Sequence, residues 1–480
     1  MKTETIQKIN QKISDIGRAC EAFANGLIGN NDIKKVTAPA GIYEQKNSKF
    51  MMRIRVPGGQ LSLNEAKKII NIISKYQIEK LHITTRQDLQ LHDVDICKIP
   101  KIAKDFLEIE MPFYGGGGDT FRNITACPHS GFCNESAFDV VAHAKKLSSF
   151  LMDYEKAFDL PRKFKIAFSC CQEDYSMAKF TDLGFIAKFA DGKKGFEVHS
   201  GGGVGKESCV GIKISDFIPE TDIFPYAIAG INFFHQHGNR NNRSKARLRF
   251  LLIEKGEDFF RQEFTKYLEL LKNLQVPEYK FENTVYKDGA LARLFIPHGN
   301  LNASQFTKII NMAEECGAEF LRFSQEQDLF VGPISEQAKI QFRNSLPELN
   351  GQRINGLIKS CVGASICKIG LLDASKHAQA VSEKLSDILS SMTDEKRNNA
   401  IEMISASIKI SGCQNSCGGN KTAKYGFQGC RRNIAGVLKD FYLFQRDGSK
   451  KDSKLSENTG IEIPAEDIPD FIIKLINEEV

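Results

Sequence analysis

The 480-residue chain contains no tryptophan, an absence with no functional message of its own. Other shortages exclude more. No run of about eighteen apolar residues is present, so no membrane-spanning helix is expected. The opening stretch, MKTETIQKINQKISDIGRAC, alternates polar and charged side chains. It lacks the apolar run and small-residue cleavage site of a secretory leader, which makes the cytoplasm the expected compartment. Charge of one sign is scarce too: 65 Lys and Arg against 59 Asp and Glu leave +6. That is too little over this length to argue for nucleic acid, though it is compatible with a basic anion pocket. HSGGGVG at 199–205 and GGGGD at 115–119 do not fit G-x-G-x-x-G entering a helix, so nucleotide binding is not expected there. No flavin or nicotinamide fingerprint appears elsewhere. The nine histidines show no metal-ligand spacing. His235 and His237 could share a strand face, with packing the plainer account.

Cysteine is what the chain has in unusual supply. Thirteen, an odd number in an expected cytoplasmic protein, argue for metal or redox use rather than a disulfide framework. Composition is otherwise that of a globular protein with more than one core, 41% hydrophobic and 26% charged.

The chain is written twice. The segment from Arg53, RIRVPGGQLSLNEAKKIINIISKYQIEKLHITTRQDLQLHD, aligns without a gap on RLFIPHGNLNASQFTKIINMAEECGAEFLRFSQEQDLFVGP from Arg293. Each copy reads as strand, turn, helix and strand. Alternating MMRIRV and LARLFI are strand-like, Pro and Gly break them, and Asn64 or Ser304 is placed to cap the helix. Two such units resemble ferredoxin-like layers. More faintly, Cys127-x5-Cys133 lines up with Cys361-x5-Cys367, and FKIAFSCCQEDY with SIKISGCQNSC. The expected fold is therefore α/β (α+β) and internally duplicated, two ferredoxin-like repeats plus two larger α/β units with pseudo-two-fold symmetry. Expected boundaries are a helical arm over 1–40, repeats over 41–110 and 281–345, and larger units over 111–280 and 346–480. Joints fall near 105–120, 255–285 and 335–356, and an amphipathic helix closes the chain.

Cys361 and Cys367, then Cys413 and Cys417 in GCQNSCGGN, are four thiolates in two pairs. They suit a [4Fe–4S] cube or a structural zinc, and the gaps of five and three residues lean towards iron–sulfur. Glycines 412, 418 and 419 let backbone N–H groups approach the sulfurs. Arg53, Arg122, Lys163 and Lys165 form a basic set able to bind a small oxyanion and pass it protons. In a strand, 163 and 165 would point to one face. The ordinary alternative is a solvated face, and the repeat argues against it. Arg122 aligns with Gly356, Lys163 with Ser405, Lys165 with Ser407, and Cys417 with Tyr175. One half keeps the bases and the other the complete thiol set, as a site at the pseudo-symmetric interface requires.

C-x5-C followed by G-C-x-N-x-C-G resembles the cluster signature of the sirohaem-containing sulfite and nitrite reductases, over most of the chain from about Gly41 to about residue 445. The resemblance implies six-electron reduction of sulfite or nitrite at a sirohaem coupled to a [4Fe–4S] cluster, with Cys417 bridging the two. It implies anion-binding roles for Arg53, Arg122, Lys163 and Lys165. Arg55, Arg86, Gln90, Asn123, Lys245, Arg247 and Asn415 become candidate sirohaem contacts, since the macrocycle carries many carboxylates. Nitrite-type members often have Asn at the second lysine of PRKxK, so Lys165 favours sulfite, with nitrite as the alternative. Electrons are expected from a ferredoxin or a separate flavoprotein subunit, docked on a basic rim that includes Lys421, Lys424, Arg431 and Arg432. No nucleic-acid or membrane partner is expected, and the chain is expected to work as a monomer. Cys127, Cys133 and Cys171 read as a vestigial echo of the cluster motif, Tyr175 standing in the fourth place. Competing readings are a precorrin-processing monooxygenase and a sirohaem-free iron–sulfur electron carrier or sensor, for which the four bases would be surplus.

Overall fold

The computed structural model describes residues 2–111, 113–272, 281, 286, 289–346, 349 and 357–479. Gly356 and parts of the expected joints near 255–285 and 335–356 lie outside them. The arm consists of helices α1 (Thr3–Ala24) and α2 (Asn30–Thr37), the first lying on the last helix of the first repeat, Ile99–Glu108. That repeat comprises β1 (Ile42–Glu44), β2 (Phe50–Ile54), β3 (Gln60–Ser62), α3 (Leu63–Tyr76), β4 (Lys80–Ile83), β5 (Leu89–Val94) and α4 (Ile99–Glu108). The cap of helix α3 lies two residues before the expected one. Ser62, not Asn64, accepts from the Glu65 backbone, and the Glu65 side chain answers the Ser62 N–H. Such a capping box satisfies two orphan amides at once.

The first larger unit contains β6 (Thr125–Ala126), α5 (Val141–Met152), β7 (Ile166–Ser169), β8 (Leu183–Ala190), β9 (Lys193–Ser200), β10 (Ile212–Pro219), α6 (Ile223–His237) and α7 (Arg249–Glu269). His235 and His237 end helix α6 rather than sharing a strand face, and α7 breaks at Gly256, where φ is +81°, before resuming to Glu269. The second repeat follows as β11 (Ala290–Leu294), β12 (Asn300–Asn302), α8 (Ala303–Glu315), β13 (Phe320–Phe323), β14 (Leu329–Ile334) and α9 (Glu336–Ser345). Asn302, not Ser304, caps α8, again in a capping box, with Gln305. The second larger unit holds β15 (Lys359–Ser360), α10 (Ala374–Ser390), α11 (Asp394–Ser407), β16 (Ile408–Ser411), β17 (Tyr425–Ile434), β18 (Val437–Arg446), β19 (Glu457–Pro464) and α12 (Ile468–Glu479).

Described strands form four sheets. The two of the repeats exchange edges: β12 of the second repeat pairs with β4 of the first, and β3 of the first pairs with β13 of the second. A strand that would leave its own repeat with an open edge closes the other's instead. One hydrophobic core accordingly runs through both repeats, from Ile54 and Ile73 to Ile310 and Val331. The larger sheets have matching orders, β10-β9-β8-β7-β6 and β19-β18-β17-β16-β15, with two parallel pairings and two antiparallel ones in each. The duplication is thus carried through the whole fold. Each larger unit has its own core.

Candidate functional site

The basic residues come from three elements of the first half. Arg53, on β2, donates to the Gly116 carbonyl at 2.8 Å, and Arg122 donates to Gly116 at 3.0 Å and Gly118 at 2.7 Å. The glycine run therefore acts as an acceptor shelf that holds two mutually repelling guanidinium groups side by side. Gly117 must lack a side chain, because a Cβ there would lie 2.1 Å from the Ala38 oxygen. Arg86 leaves the turn before β5 and reaches the carbonyls of Asn123 and Ile166 at 2.5 and 2.9 Å. Asn123 returns two bonds, to Val56 and Arg86. Arg55 donates to the Arg122 carbonyl at 3.1 Å and lies 3.9 Å over the Phe121 ring.

Lys163 and Lys165 stand just before β7 rather than within it, on either side of the Phe121–Phe164 bridge. Burial, then Arg247 and Arg122, lower the Lys163 ammonium to about 7, while Cys417 works the other way. Lys165 is lowered well below the usual range by burial and by Lys163, Arg247 and Arg86, with Asp182 opposing. Asp182 accepts from Arg247 and from the Lys165 backbone, both at 2.7 Å. Burial also lowers Arg55 to about 9 and Arg86 and Arg122 to about 10, so all three remain cations at neutral pH.

The thiols come from the second half. Cys361 follows β15, and Cys413 follows the parallel β16. The Gly412 N–H donates to the Cys361 sulfur at 3.2 Å, and the Asn415 amide to the Cys413 sulfur at 3.5 Å. Gly418 is required for close backbone approach, since a Cβ there would sit 2.1 Å from the Ile410 oxygen. Burial raises the Cys361 thiol to about 11, with the Gly412 and Gly363 N–H groups lowering it and Cys417 and Cys413 raising it. Cys417 is raised by burial first, with Lys163 and Lys165 opposing and Cys413 and Cys367 reinforcing. Yet Cys417 keeps accessible surface. Both hold if that surface lines a recess rather than the outside of the molecule. The thiols of one half and the bases of the other thus meet at Cys417.

Two tests of cofactor fit are available in these side chains. Nε of Arg55, Arg86, Arg122 and Arg247 and one terminal nitrogen of Arg249 are buried without a partner. Unpaired buried donors are costly, and a tetrapyrrole bearing many carboxylates is a ligand that would satisfy several together. The residues fit sirohaem. Among the described residues no three His, Cys, Asp or Glu converge on a point that could hold one ion. The four cysteines nonetheless sense one another's charge. Four thiols in one neighbourhood without three converging on one point would suit a four-iron cluster better than a single zinc.

Other candidates stand apart. Lys245 is at the surface, 3.2 Å from Glu254, although Arg247 is buried against Asp182. Arg431 and Arg432 are engaged by Asp440 and Glu462, Lys424 lies over the Tyr425 ring, and burial lowers Lys421. Sequence reasoning missed Arg249, which donates to the Glu207 carbonyl beside the Gly203 turn; its spacing of two from Arg247 was the available signal. It also missed Asp88, buried among Arg53, Arg55, Arg86 and Arg122 and raised to about 6 by burial against their pull. The repeat pairs it with Asp328.

The mirror position, where the second repeat meets the first larger unit, is closed by its own charges. Phe295, Glu326 and Phe330 occupy the places of Arg55, Arg86 and Gln90. Arg293 and Lys359 both pair with Asp328 at 2.7 and 2.6 Å. Glu326 pairs with Lys409 and Lys450, and Lys450 caps the Tyr175 ring at 4.9 Å. Cys127, Cys133, Cys170 and Cys171 lie close enough that the neighbouring thiols raise Cys170 and Cys171 and, behind burial, Cys133. The thiol echo therefore includes Cys170, which the alignment had passed over.

A duplicated fold with cluster-type thiols from one half facing a surplus of buried cations from the other defines a class of oxyanion-reducing haem and iron–sulfur enzymes. Comparison with known proteins gives the family. Residues 43–109 match the nitrite/sulfite reductase ferredoxin-like half domain, and 117–271 match the nitrite and sulphite reductase 4Fe-4S domain. These two segments carry domains of the nitrite and sulfite reductase family, and the cofactors are sirohaem and a [4Fe–4S] cluster. It is 26% identical over 457 residues to the ferredoxin–nitrite reductase of Leptolyngbya laminosa, covering 90% of this chain and 86% of that one. The chloroplastic ferredoxin–nitrite reductase of Arabidopsis thaliana is 26% identical over 410 residues, 80% of this chain and 67% of the other. In fold, the chain resembles the NirA protein of Mycobacterium tuberculosis, with a TM-score of 0.80 at 19% identity, covering 98% and 93% of the two chains. Among the described residues no helix is long and apolar enough to cross a membrane.

Proposed function

We propose that this protein reduces nitrite to ammonium with electrons from a ferredoxin. The observation that carries the reading is the half-buried group of bases, Arg53, Arg122, Lys163 and Lys165, the two lysines of which act on Cys417 of the other half. The preference for sulfite drawn from Lys165 yields to the relatives, which are named ferredoxin–nitrite reductases. A lysine in place of asparagine alters one donor of the anion pocket without excluding the planar anion.

When bound, sirohaem supplies the iron that receives the anion and the cluster supplies its electrons one at a time. Nitrite with six electrons and eight protons gives ammonium and two waters. The guanidinium groups of Arg53 and Arg122, fixed by the Gly116 carbonyl, bind and orient the anion's oxygens. Lys163, whose burial among cations loosens its proton, donates to an oxygen leaving as water and is refilled from solvent. Lys165, its ammonium also lowered by burial and by its cationic neighbours, relays a proton to Lys163. Cys361, Cys367, Cys413 and Cys417 would hold the cluster, and Arg55, Arg86, Arg247 and Arg249 would hold the ring's carboxylates, while Asn123, both of whose N–H groups go to backbone carbonyls, braces Arg86.

Steady-state turnover of the holoprotein with reduced ferredoxin tests the reading. A kcat/KM for nitrite at least about tenfold above that for sulfite is expected, a difference of ~1.4 kcal/mol in transition-state stabilisation. The reverse order would return the protein to sulfite, and turnover of neither would remove the reductase reading.

A further inference from the structure

The segment that carries Arg122 is fastened to the lysine segment by backbone at two points. The Leu160 N–H donates to the Asp119 carbonyl at 3.0 Å, and the Phe164 N–H to the Thr120 carbonyl at 3.1 Å. Between these anchors the chain bends at Pro161 and Arg162 before reaching Lys163. Among the described residues, none of these three joins a backbone hydrogen bond. The bend presents Lys163, so its shape must be held by something other than backbone.

A side chain does this. Asp119, the residue that ends the glycine run, accepts from Arg162 at 3.0 Å. It also accepts two bonds from Arg243, at 2.6 and 3.1 Å, a fork that fixes the orientation of the carboxylate. Against the cost of burial, Arg243 and Arg162 hold the Asp119 carboxyl below its ordinary range, so it is ionised at neutral pH. At 30% and 27% exposure the Asp119–Arg162 pair adds little stability; what it sets is geometry.

On the inner side, Arg122 hangs from the Gly116 and Gly118 carbonyls of the same loop, and Lys163 follows Arg162 directly. Behind burial, Arg162 is among the cations that lower both of them. An Arg162 guanidinium released from Asp119 would be repelled by these neighbours and would carry the bend with it. In the other half, where Ser405 stands in place of Lys163, the residue aligned with Arg162 is Ile404, fully buried in the core of that unit. The arginine accompanies the bases and not the fold.

We infer that Asp119 is a positioning residue for the anion. Its carboxylate ties the Arg162–Lys163 bend to the loop bearing Arg122, and so fixes the spacing between the ammonium and guanidinium groups that meet the substrate. This rests on the function proposed above. Simple screening of the neighbouring cations by Asp119 has the opposite sign. Loss of a tie weakens anion binding, whereas loss of a negative charge beside the pocket strengthens it.

The test uses the holoprotein, Asp119→Asn, Asp119→Ala, and Asp119→Ala combined with Arg162→Ala. Tetrapyrrole per chain is measured, and the nitrite Kd is read from the absorption change of the reduced form. At full tetrapyrrole content, a Kd weakened roughly tenfold in Asp119→Ala supports the inference. Asp119→Asn, which keeps one acceptor oxygen, should weaken it by about threefold or more. The double variant, having lost the same link, should stay within about threefold of Asp119→Ala. Unchanged or tighter binding in the single variants overturns the inference, as does a return of the double variant to the parent Kd, the result of charge screening. Loss of tetrapyrrole in Asp119→Asn also overturns it, since the residue would then serve cofactor retention. Should Asp119→Ala not fold, Asp119→Asn decides alone. A parent protein that binds nitrite with the variants unaffected sinks this inference only. A parent that answers to neither nitrite nor sulfite removes the proposed function and this inference together.

Discussion

Glu326 stands in the second repeat where the first has Arg86, and its removal isolates the role of the closed mirror site. Its carboxylate bridges Lys409 and Lys450, and the side chains of the three are 12%, 5% and 20% exposed. Glu326→Gln keeps the shape and leaves two ammonium groups with one partner fewer. Breaking a buried pair in this way costs about 3–5 kcal/mol. Lys450 can turn towards solvent, and Lys409 retains the Ser405 carbonyl at 2.8 Å, so the low end, about 3 kcal/mol, is expected. The loss should depend on pH. Burial lowers Lys409 to about 8 even with Glu326 present, against an ordinary value of 10.5. The unfolded chain therefore binds its proton more tightly, and stability rises with pH between those values. Without Glu326 the folded value drops further, the rise begins at lower pH, and the deficit narrows as pH increases. Glu326 itself is depressed by Lys409 and Lys450 against the cost of its burial. Its contribution is present above the ordinary carboxylate value and is lost as pH falls through the folded one. Urea unfolding of parent and variant at about pH 6 and about pH 9 reads both effects in the midpoint, provided the slope is unchanged. A deficit below about 1 kcal/mol at the lower pH, or one that widens with pH, would refute the reasoning.

Three further outcomes are expected. Arg86→Glu, which copies the mirror residue into the candidate site, should reduce tetrapyrrole per chain at least about tenfold, by losing one charge-assisted contact and adding a like-charge one. Far-ultraviolet circular dichroism should be unchanged; full occupancy would remove Arg86 from the cofactor contacts. Replacing Lys163 and Lys165 together by alanine should leave tetrapyrrole and iron contents intact while lowering kcat/KM by roughly 10²–10⁴, and unchanged turnover would contradict their role. Cys417→Ser should lower iron per chain and abolish turnover of the anion, whereas Tyr175→Phe, at the mirror position, should leave iron content unaltered; chemical iron analysis decides both.

The sequence by itself determined the duplication, because a gapless match at a spacing of 240 from Arg53 to Arg293 preserves strand and helix periodicity in both copies. It also determined the chemistry of the thiol loops, where glycines 412 and 418 are local requirements of close backbone approach. Helix starts were displaced by two residues, since Ser62 and Asn302 as well as Asn64 and Ser304 are capping types and only the turn geometry chooses between them. The exchange of β3 and β12 between repeats left no trace, as an edge strand has the same local pattern whichever sheet it closes. Asp88, Asp182 and Arg249 acquired meaning only when packing placed them among other charges. Lys450, distant in sequence from Glu326 and Tyr175, closes the mirror site only through the meeting of the halves. Periodicity and loop stereochemistry are short-range and readable along the chain. Which charges share one buried volume, and so which of the two mirror sites keeps an excess of cations, is a long-range property settled by tertiary packing.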